Sequence, residues 1–202
     1  MITVVAIFFL RLQRKLFSPI RRAFWYSYVR ASGVRIGRGL VLYGRPTISR
    51  ARESIIQLGD QATLCSDSYY NDIGVNHEVI LRTKTTSAAI IIGNNFGMSG
   101  GALCARERIT IGDNVMLGAN VTISDNDSHP LGAVLRRQGS KDMIVKPVVI
   151  GNDVWIGADS YVGKGVSIGD NVVIGAKSVV TKSIPANCIA AGVPCRIIRQ
   201  LD

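Results

Sequence analysis

Histidine, paired cysteines and aromatic side chains are scarce in this sequence of 202 residues. There are two His and four Cys, and no two cysteines have the CxxC spacing, which argues against a zinc finger, a haem-attachment site and a disulfide-dense scaffold. Aromatic residues make up 6% of the chain, whereas hydrophobic residues make up 47%, so an aliphatic core is expected. The composition excludes a disordered chain, favours a single domain and suits reduced, cytoplasmic thiols.

Acidic residues are absent from positions 1–38, which contain eight of the 24 basic residues. The rest of the chain is nearly neutral, so the net charge of +10 comes mainly from this end and does not indicate a nucleic-acid partner. We interpret residues 1–35 as a basic amphipathic helical arm, because the opening run MITVVAIFFL is too short to span a bilayer. Its apolar and basic character predicts peripheral contact of residues 1–30 with the anionic inner face of the membrane. Packing against a neighbouring subunit is the alternative.

An aliphatic residue recurs every six positions from Ile150 to Val180, and glycine follows the first five of these residues. The same frame returns over 111–123 and, more weakly, near residues 36, 58 and 92. In a strand, a six-residue period keeps the aliphatic residue and the residue four places later on one face. Three hexads form one triangular coil, whose corners glycine and nearby Asn or Asp are expected to turn. Residues 36–202 are therefore predicted to form an all-β domain, a parallel β-helix of hexapeptide repeats.

The repeat breaks between Ile123 and Ile150, which are 27 residues apart. A coil can expel extra residues only as a loop, and such loops often carry function, so we predict one large functional excursion here. The loop contains His129, the residue that we expect to act as a base. The second histidine, His77, lies in another irregular segment. A structural role is predicted for it, and contact with the acceptor in a neighbouring subunit's groove is the alternative. Ser99, one to two coils before His129, is predicted to contact a substrate.

At this point the sequence is similar to a known family. The similarity is carried by ITIGDNVMLGANVTIS, the His-Pro of DNDSHPL, VVIGNDVWIGADSYV, VIGAKSVVTKSIP and the ending AAGVPCRIIR. The chain resembles the hexapeptide-repeat acyltransferases, in the group with galactoside, maltose and surface-polysaccharide O-acetyltransferases. The resemblance implies a left-handed coil, acetyl-CoA as the donor, and direct acetyl transfer to a hydroxyl of a sugar or glycan. It also implies a homotrimer with each site between two subunits.

The resemblance assigns roles to individual residues. His129 corresponds to the general base, and the backbone of Ala158 corresponds to the donor for the oxyanion. The CoA-binding positions correspond to Ala158, Ala176, Thr181, Lys182, Arg196 and Arg199. Asp127 and Trp155 are predicted to face the acceptor, although Trp155 could instead cover a corner of the coil.

Several alternatives remain open in the sequence. Asp125 and Asp127 are both able to orient His129. The acceptor could be a small non-sugar molecule such as serine, an antibiotic or an amino sugar, or the chain could be a non-catalytic scaffold. A zinc-dependent carbonic anhydrase with the same coil needs three His ligands, and the chain has two, so no metal is predicted.

Overall fold

The computed structural model describes residues 19–201, and its strands form three sheets around a triangular coil. Sheet A contains β1 (Arg35–Ile36), β4 (Ile55–Leu58), β7 (Ala89–Ile92), β10 (Arg108–Ile111), β13 (Val148–Ile150) and β16 (Ser167–Ile168). Sheet B contains β2 (Val41–Tyr43), β5 (Thr63–Cys65), β8 (Gly97–Ser99), β11 (Met116–Leu117), β14 (Trp155–Ile156), β17 (Val172–Ile174), β19 (Cys188–Gly192) and β20 (Cys195–Gln200). Sheet C contains β3 (Thr47–Ser49), β6 (Ile80–Thr83), β9 (Ala102–Ala105), β12 (Thr122–Ser124), β15 (Tyr161–Val162) and β18 (Val179–Val180).

From β1 to β19, consecutive strands belong to different sheets, and the strands of each sheet pair in parallel. Strand β20 stays in sheet B and pairs with β19 in the antiparallel direction. We call the turns from A to B, from B to C and from C to A the first, second and third corners. The helical elements are α1 (residues 19–31), a 3-10 turn at Ser68–Tyr70 and α2 (Ala133–Arg137). The predicted left-handed parallel β-helix is confirmed.

The predicted aliphatic positions stack along the axis of the coil. Ile150 pairs with Ile168, 18 residues later, and both side chains are almost completely buried. Ile156 and Ile174 repeat this spacing in sheet B, with 0% exposure. Since one hexad supplies one side of each triangle, three hexads place equivalent aliphatic side chains directly above one another. The core is accordingly an aliphatic column, as the composition predicted.

The hexad glycines have a different role from the predicted one. At Gly157, an added Cβ would lie 2.5 Å from the backbone nitrogen of Ala176 in the next coil. At the second corner, just after Gly157, the residue with a positive φ is Asp159 (59°). At the first corner of the following coil it is Asn171 (54°). At position 157, glycine is therefore needed for the close approach of neighbouring coils, and Asn or Asp, which tolerate the left-handed region, turns the corner.

The first corner is held by a ladder of Asn and Asp side chains. The backbone N–H of Asp113 donates to Oδ1 of Asn152 at 2.9 Å, and the N–H of Asn152 donates to Oδ1 of Asp170 at 2.6 Å. Asp60 takes part in the same way, and its pKa is lowered first by the backbone N–H of Arg38 and then by the Arg38 guanidinium. These bonds use the backbone donors that a tight corner would otherwise leave unpaired.

Helix α1 covers the N-terminal end of the coil in its own chain. Val29 is completely buried in the core, and Trp25, Tyr26 and Tyr28 pack partly against it. Ile20 and Phe24 remain 67% and 63% exposed. Residues 1–18, including the apolar start of the arm, lie outside the described residues. Within residues 19–201, no helix has the length and hydrophobicity needed to cross a membrane.

Candidate active site

The predicted excursion loop leaves the third corner after β12 and returns at β13. Ile111 pairs with Ile150 across 39 residues, about twice the ordinary spacing, so the extra chain is expelled without disturbing the sheet register. An antiparallel bridge between Asn126 and Val145 closes the base of the loop. The short helix α2 lies beyond this base. The residues around His129 are therefore tied to the rigid coil through a closed stem.

Asp125 is fully buried and holds the preceding turn of the third corner. Its carboxylate accepts hydrogen bonds from the backbone N–H groups of Arg106, Glu107 and Arg108, at 2.7–3.0 Å. Charge-assisted bonds of this kind compensate for the loss of hydration of a buried carboxylate. Asp125 is thus committed to the scaffold, which removes one of the two alternatives for orienting His129.

The backbone before His129 has an unusual conformation. Ser128 has a φ of +64°, and its N–H donates to Oδ1 of the buried Asn126 at 3.0 Å. A non-glycine residue in the left-handed region is uncommon and is stable only where its surroundings fix it. The imidazole of His129 is exposed, whereas Pro130 is buried. The turn therefore presents the histidine to solvent between two anchored neighbours.

Asp127 connects the loop to the next coil of the third corner. Its Oδ1 lies 2.5 Å from Nζ of Lys164, and its backbone N–H donates to the carbonyl of Ile144. Its other carboxylate oxygen, Oδ2, is buried and has no hydrogen-bond partner among the described residues. Unlike Asp125, Asp127 therefore keeps one carboxylate oxygen without a hydrogen bond among the described residues.

The second corner is built from smaller residues than the first. Ala119, Ala158 and Ala176 occupy the positions where the first corner has Asn or Asp. The N–H of Ala158 therefore has no side-chain acceptor like those of the first corner, and Ser160 and Ser178 supply the buried hydrogen bonds there. Ala158 is half-buried and Ala176 is exposed, so a narrow strip of backbone is open to solvent. This strip contains both alanines that the resemblance assigns to CoA binding.

An apolar stripe runs along the outer face of sheet B. Trp155 and Met116 are neighbours in register and are 51% and 57% exposed. Met116 also pairs with Gly97, above which an added Cβ would find open space. Ser99, at the end of the same strand β8, is half-buried beside the second corner. Trp155 therefore lies on a flat sheet face and does not cover a corner.

The predicted phosphate-binding residues lie near the C-terminal end of the coil. A groove is lined by Lys182, Ser183, Ile184, Cys195, Arg196 and Ile197. Thr181 is exposed next to Lys182, and Arg199 is exposed on strand β20. The structure therefore brings Lys182 and Arg196 together, as expected for residues that share an anionic ligand.

One chain does not bring all the predicted site residues together. His129, Asp127, Thr181 and Lys182 lie at the third corner. Ala158 and Ala176 lie at the second corner, and Trp155 lies on sheet B, which is the face opposite the third corner. The sequence analysis did not assign these residues to particular corners, although the resemblance implied a site between two subunits. Lys164, Asn126 and the buried role of Asp125 were also missed, since each depends on contacts between coils or within the loop.

Comparisons with known proteins agree with this architecture. Residues 147–182 match the family described as bacterial transferase hexapeptide (six repeats), and residues 108–132 match the hexapeptide repeat of succinyl-transferase. The crystal structure of a maltose O-acetyltransferase from Clostridium difficile 630 is 31% identical, covering 83% of this chain and 70% of that chain, with a TM-score of 0.51. The chain belongs to the hexapeptide-repeat acyltransferase family.

Two further relatives of this family member are informative. Galactoside O-acetyltransferase of Escherichia coli K12 is 48% identical over 94 residues, which are 46% of this chain and 45% of that protein. A galactoside acetyltransferase structure in complex with coenzyme A is 33% identical, covering 82% of this chain and 65% of that chain, with a TM-score of 0.51. The chain spans about half the length of the curated relatives that it matches.

Three other side chains with reactive groups, those of Cys188, Cys195 and His77, are held by burial or by a contact with the backbone. Burial raises the pKa of the Cys188 and Cys195 thiols, which disfavours the nucleophilic thiolate. Nδ1 of His77 lies 2.7 Å from the carbonyl oxygen of Glu78, whose own pKa is lowered mainly by the hydroxyl of Thr47. Residues 19–201 contain no group of three or more His, Cys, Asp or Glu side chains able to hold a metal ion.

Proposed function

We propose that this protein is an acetyl-CoA-dependent O-acetyltransferase that acts on a hydroxyl of a sugar or glycan. The observation that carries the proposal is the exposed His129, projected by the Asn126–Ser128 turn from a loop anchored to a rigid coil. A hydroxyl is a weak nucleophile near neutral pH, and a positioned imidazole is the usual group that removes its proton. The similarity to a galactoside acetyltransferase that binds coenzyme A supports the donor.

The proposed reaction is a direct transfer. His129 takes the proton of the acceptor hydroxyl while the oxygen attacks the thioester carbonyl of acetyl-CoA. The resulting oxyanion accepts a hydrogen bond from the Ala158 N–H, which has no side-chain acceptor in the coil. When the C–S bond breaks, the imidazolium returns the proton to the CoA thiolate. The raised thiol pKa values of Cys188 and Cys195 fit a mechanism without an acyl-enzyme.

The donor is proposed to lie between the second corner of one subunit and the third corner of its neighbour. Small side chains at Ala158 and Ala176 admit the pantetheine arm, and the groove that contains Lys182 and Arg196 takes the phosphates. Thr181 and Arg199 are exposed and are proposed to complete this site.

Substitution of the groove cations tests the donor site. Lys182→Ala and Arg196→Ala are each expected to weaken CoA binding about ten- to a hundredfold, because a hydrogen bond to a charged group contributes about 1.5–3 kcal/mol. Isothermal titration calorimetry measures the effect, with Lys141→Ala, an exposed lysine of the excursion loop, as the matched control. Unchanged affinity in both groove variants would place the CoA phosphates elsewhere. Complete absence of CoA binding to the wild type would favour a non-catalytic scaffold.

The assembly is proposed to be a homotrimer with three shared sites. The trimer is supported by the separation of the predicted site residues within one chain. The third corner of one chain supplies His129 and Lys182, and the second corner of a neighbour supplies Ala158 and Ala176. The exposed stripe at Met116 and Trp155 and the open edges of the coil favour association. Cyclic symmetry then repeats the same corner-to-corner contact three times.

A sugar is the proposed acceptor because of the surfaces that would surround it. The exposed Trp155 offers an aromatic face for a pyranose ring, and the half-buried Ser99 offers a hydroxyl group at the rim. Asp127, which was predicted to face the acceptor, is instead paired with Lys164. Surface-polysaccharide biosynthesis is the process in which we place this activity. A screen of sugars, glycans, serine and amino sugars, with detection of the free CoA thiol, tests the acceptor. If thiol is released only with serine or only with an amino sugar, the acceptor is that small molecule, and the proposal of a sugar or glycan hydroxyl is wrong.

The arm is proposed to bind the inner face of the membrane. Ile20 and Phe24 are exposed on α1 beside the basic Arg21 and Arg22, as expected for an interfacial helix. A double change of Ile20 and Phe24 to serine is expected to reduce sedimentation with phosphatidylglycerol vesicles and to leave the melting temperature unchanged. Val29→Ala, a control at the buried face, is expected to lower the free energy of unfolding by about 1–3 kcal/mol. The variant protein is expected to sediment with the vesicles as the wild type does. Equal vesicle binding by the serine variant would contradict the anchor.

A further inference from the structure

We propose that Lys164 is a positioning residue for His129 and acts through Asp127. This inference rests on the proposed role of His129 as the base. Lys164 belongs to the third corner, one coil beyond the excursion loop. From the hexapeptide pattern alone it is expected to be an exposed corner residue. The structure instead turns it towards the base of the loop.

The Lys164–Asp127 contact is short and shielded from solvent. Nζ lies 2.5 Å from Oδ1, and the two side chains are 27% and 22% exposed. The Arg52–Glu53 pair, in contrast, is 3.9 Å apart with side chains 92% and 75% exposed. Exposed pairs contribute little because water and salt screen them, whereas a partly buried pair is screened less. The Lys164–Asp127 pair therefore fixes a definite geometry.

Both ends of this contact belong to rigid structure. The N–H of Gly163 donates to the carbonyl of Val180, and the N–H of Gly165 donates to the carbonyl of Lys146 on the returning strand of the loop. Lys164 is thus clamped between two coils and the loop stem. Asp127, in turn, is separated from His129 only by Ser128, which is held in its left-handed conformation. A displacement of Asp127 is transmitted directly to the histidine.

Asp127 also determines the charge near His129. Its Oδ2 is buried without a partner, so among the described residues Lys164 is the cation paired with this carboxylate. Removal of Lys164 leaves a negative charge two residues from the imidazole, and removal of the Asp127 charge leaves a positive one. The two changes have opposite effects on protonation of His129.

The other charged groups around the stem remain constant in this comparison. The carboxylate of Asp125 is held by three backbone N–H groups, and Arg136 donates to the carbonyls of Pro130 and Leu131. Lys146 lies over Gly165, and Nε of Arg106 is buried at the preceding corner without a partner. Each contributes a fixed background charge, so a difference between Lys164 and Asp127 variants reports on their pair.

The test is an NMR titration of the two histidine rings in the full-length protein. His129→Ala assigns the signals of the two rings. Lys164→Met is expected to move the titration midpoint of His129 up by about half a pH unit or more, and Asp127→Asn is expected to move it down by a similar amount. The double variant returns it close to the wild-type value. Lys141→Met, at an exposed lysine of the same loop, leaves it unchanged.

Turnover gives a second readout. Lys164→Met is expected to lower kcat on the order of tenfold through misplacement of the base, with KM for acetyl-CoA nearly constant, and Lys164→Arg restores most of it. The acid limb of the pH profile shifts in the same direction as the NMR midpoint. Midpoints that do not move, or that move in the same direction in both variants, would overturn the positioning role. That result is distinct from failure of the proposed function, which appears as wild-type turnover in His129→Ala.

Discussion

Replacement of His129 with alanine is expected to lower turnover about 10²–10⁴-fold, the usual contribution of a general base. The reason is geometric as well as chemical. His129 is exposed at the end of an anchored turn, and the other histidine of the chain, His77, lies next to the second corner and contacts the carbonyl of Glu78. Steady-state assays with detection of the free CoA thiol measure the loss, while calorimetry is expected to show nearly unchanged acetyl-CoA binding.

His77→Ala is the matched control for this prediction. It removes the same side chain from a segment that the proposed mechanism does not use, so turnover is expected to stay within a fewfold of the wild type. A His129→Ala enzyme with wild-type turnover would show that another group removes the hydroxyl proton. A loss in both variants would instead indicate that the His77 segment reaches the acceptor, as it could from a neighbouring subunit.

The fold could be predicted from the sequence because its rule is local and repeated. The spacing of Ile150, Ile156, Ile168 and Ile174 is enough to place each buried side chain on the axis. The handedness came from family resemblance, because periodicity alone does not determine it. The purpose of the hexad glycine was predicted incorrectly, since the atom that excludes a Cβ at Gly157 belongs to Ala176, on the next coil. A sequence pattern shows that glycine recurs but not which neighbour requires it.

The site was predictable only in part, for a similar reason. The break in the repeat predicted the excursion loop and made His129 the candidate base, and the family motifs proposed Lys182 and Arg196, which line one groove. The choice between Asp125 and Asp127 required coordinates, because adjacent acids in one loop differ only in what they contact. Asp125 binds backbone N–H groups of the preceding coil, whereas Asp127 reaches Lys164 in the following coil. Such contacts join residues that are distant in sequence and have no shared pattern.

The separation of the site residues has the largest consequence for function. A triangular coil has three corners, and His129 and Ala176 occupy different ones with sheet C between them. A donor that passes Ala176 is therefore expected to meet the histidine of a neighbouring subunit. The third corner of one subunit must therefore meet the second corner of another if both sets act on one substrate pair. This requirement can be tested without a structure of the assembly.

Two inactive variants are expected to form an active enzyme when they assemble together. Ala176→Trp fills the exposed strip at the second corner and is expected to lower turnover on the order of 10²-fold, because the donor can no longer lie close to the coil. His129→Ala disables the third corner. In a cyclic trimer that contains both variants, one of the three sites combines the intact His129 of one subunit with the intact Ala176 of its neighbour. Heterotrimers purified through two different affinity tags should therefore have about one third of wild-type turnover.

The control is a heterotrimer of His129→Ala with the double variant His129→Ala, Ala176→Trp, which contains no intact site and should remain inactive. It shows that tagging and co-assembly do not themselves create activity. If each site were formed within a single chain, both kinds of heterotrimer would be equally inactive, while doubly tagged wild-type trimers would retain full turnover. That result would contradict the shared site and would require the excursion loop to fold back over sheet C, bringing His129 to the second corner of its own subunit.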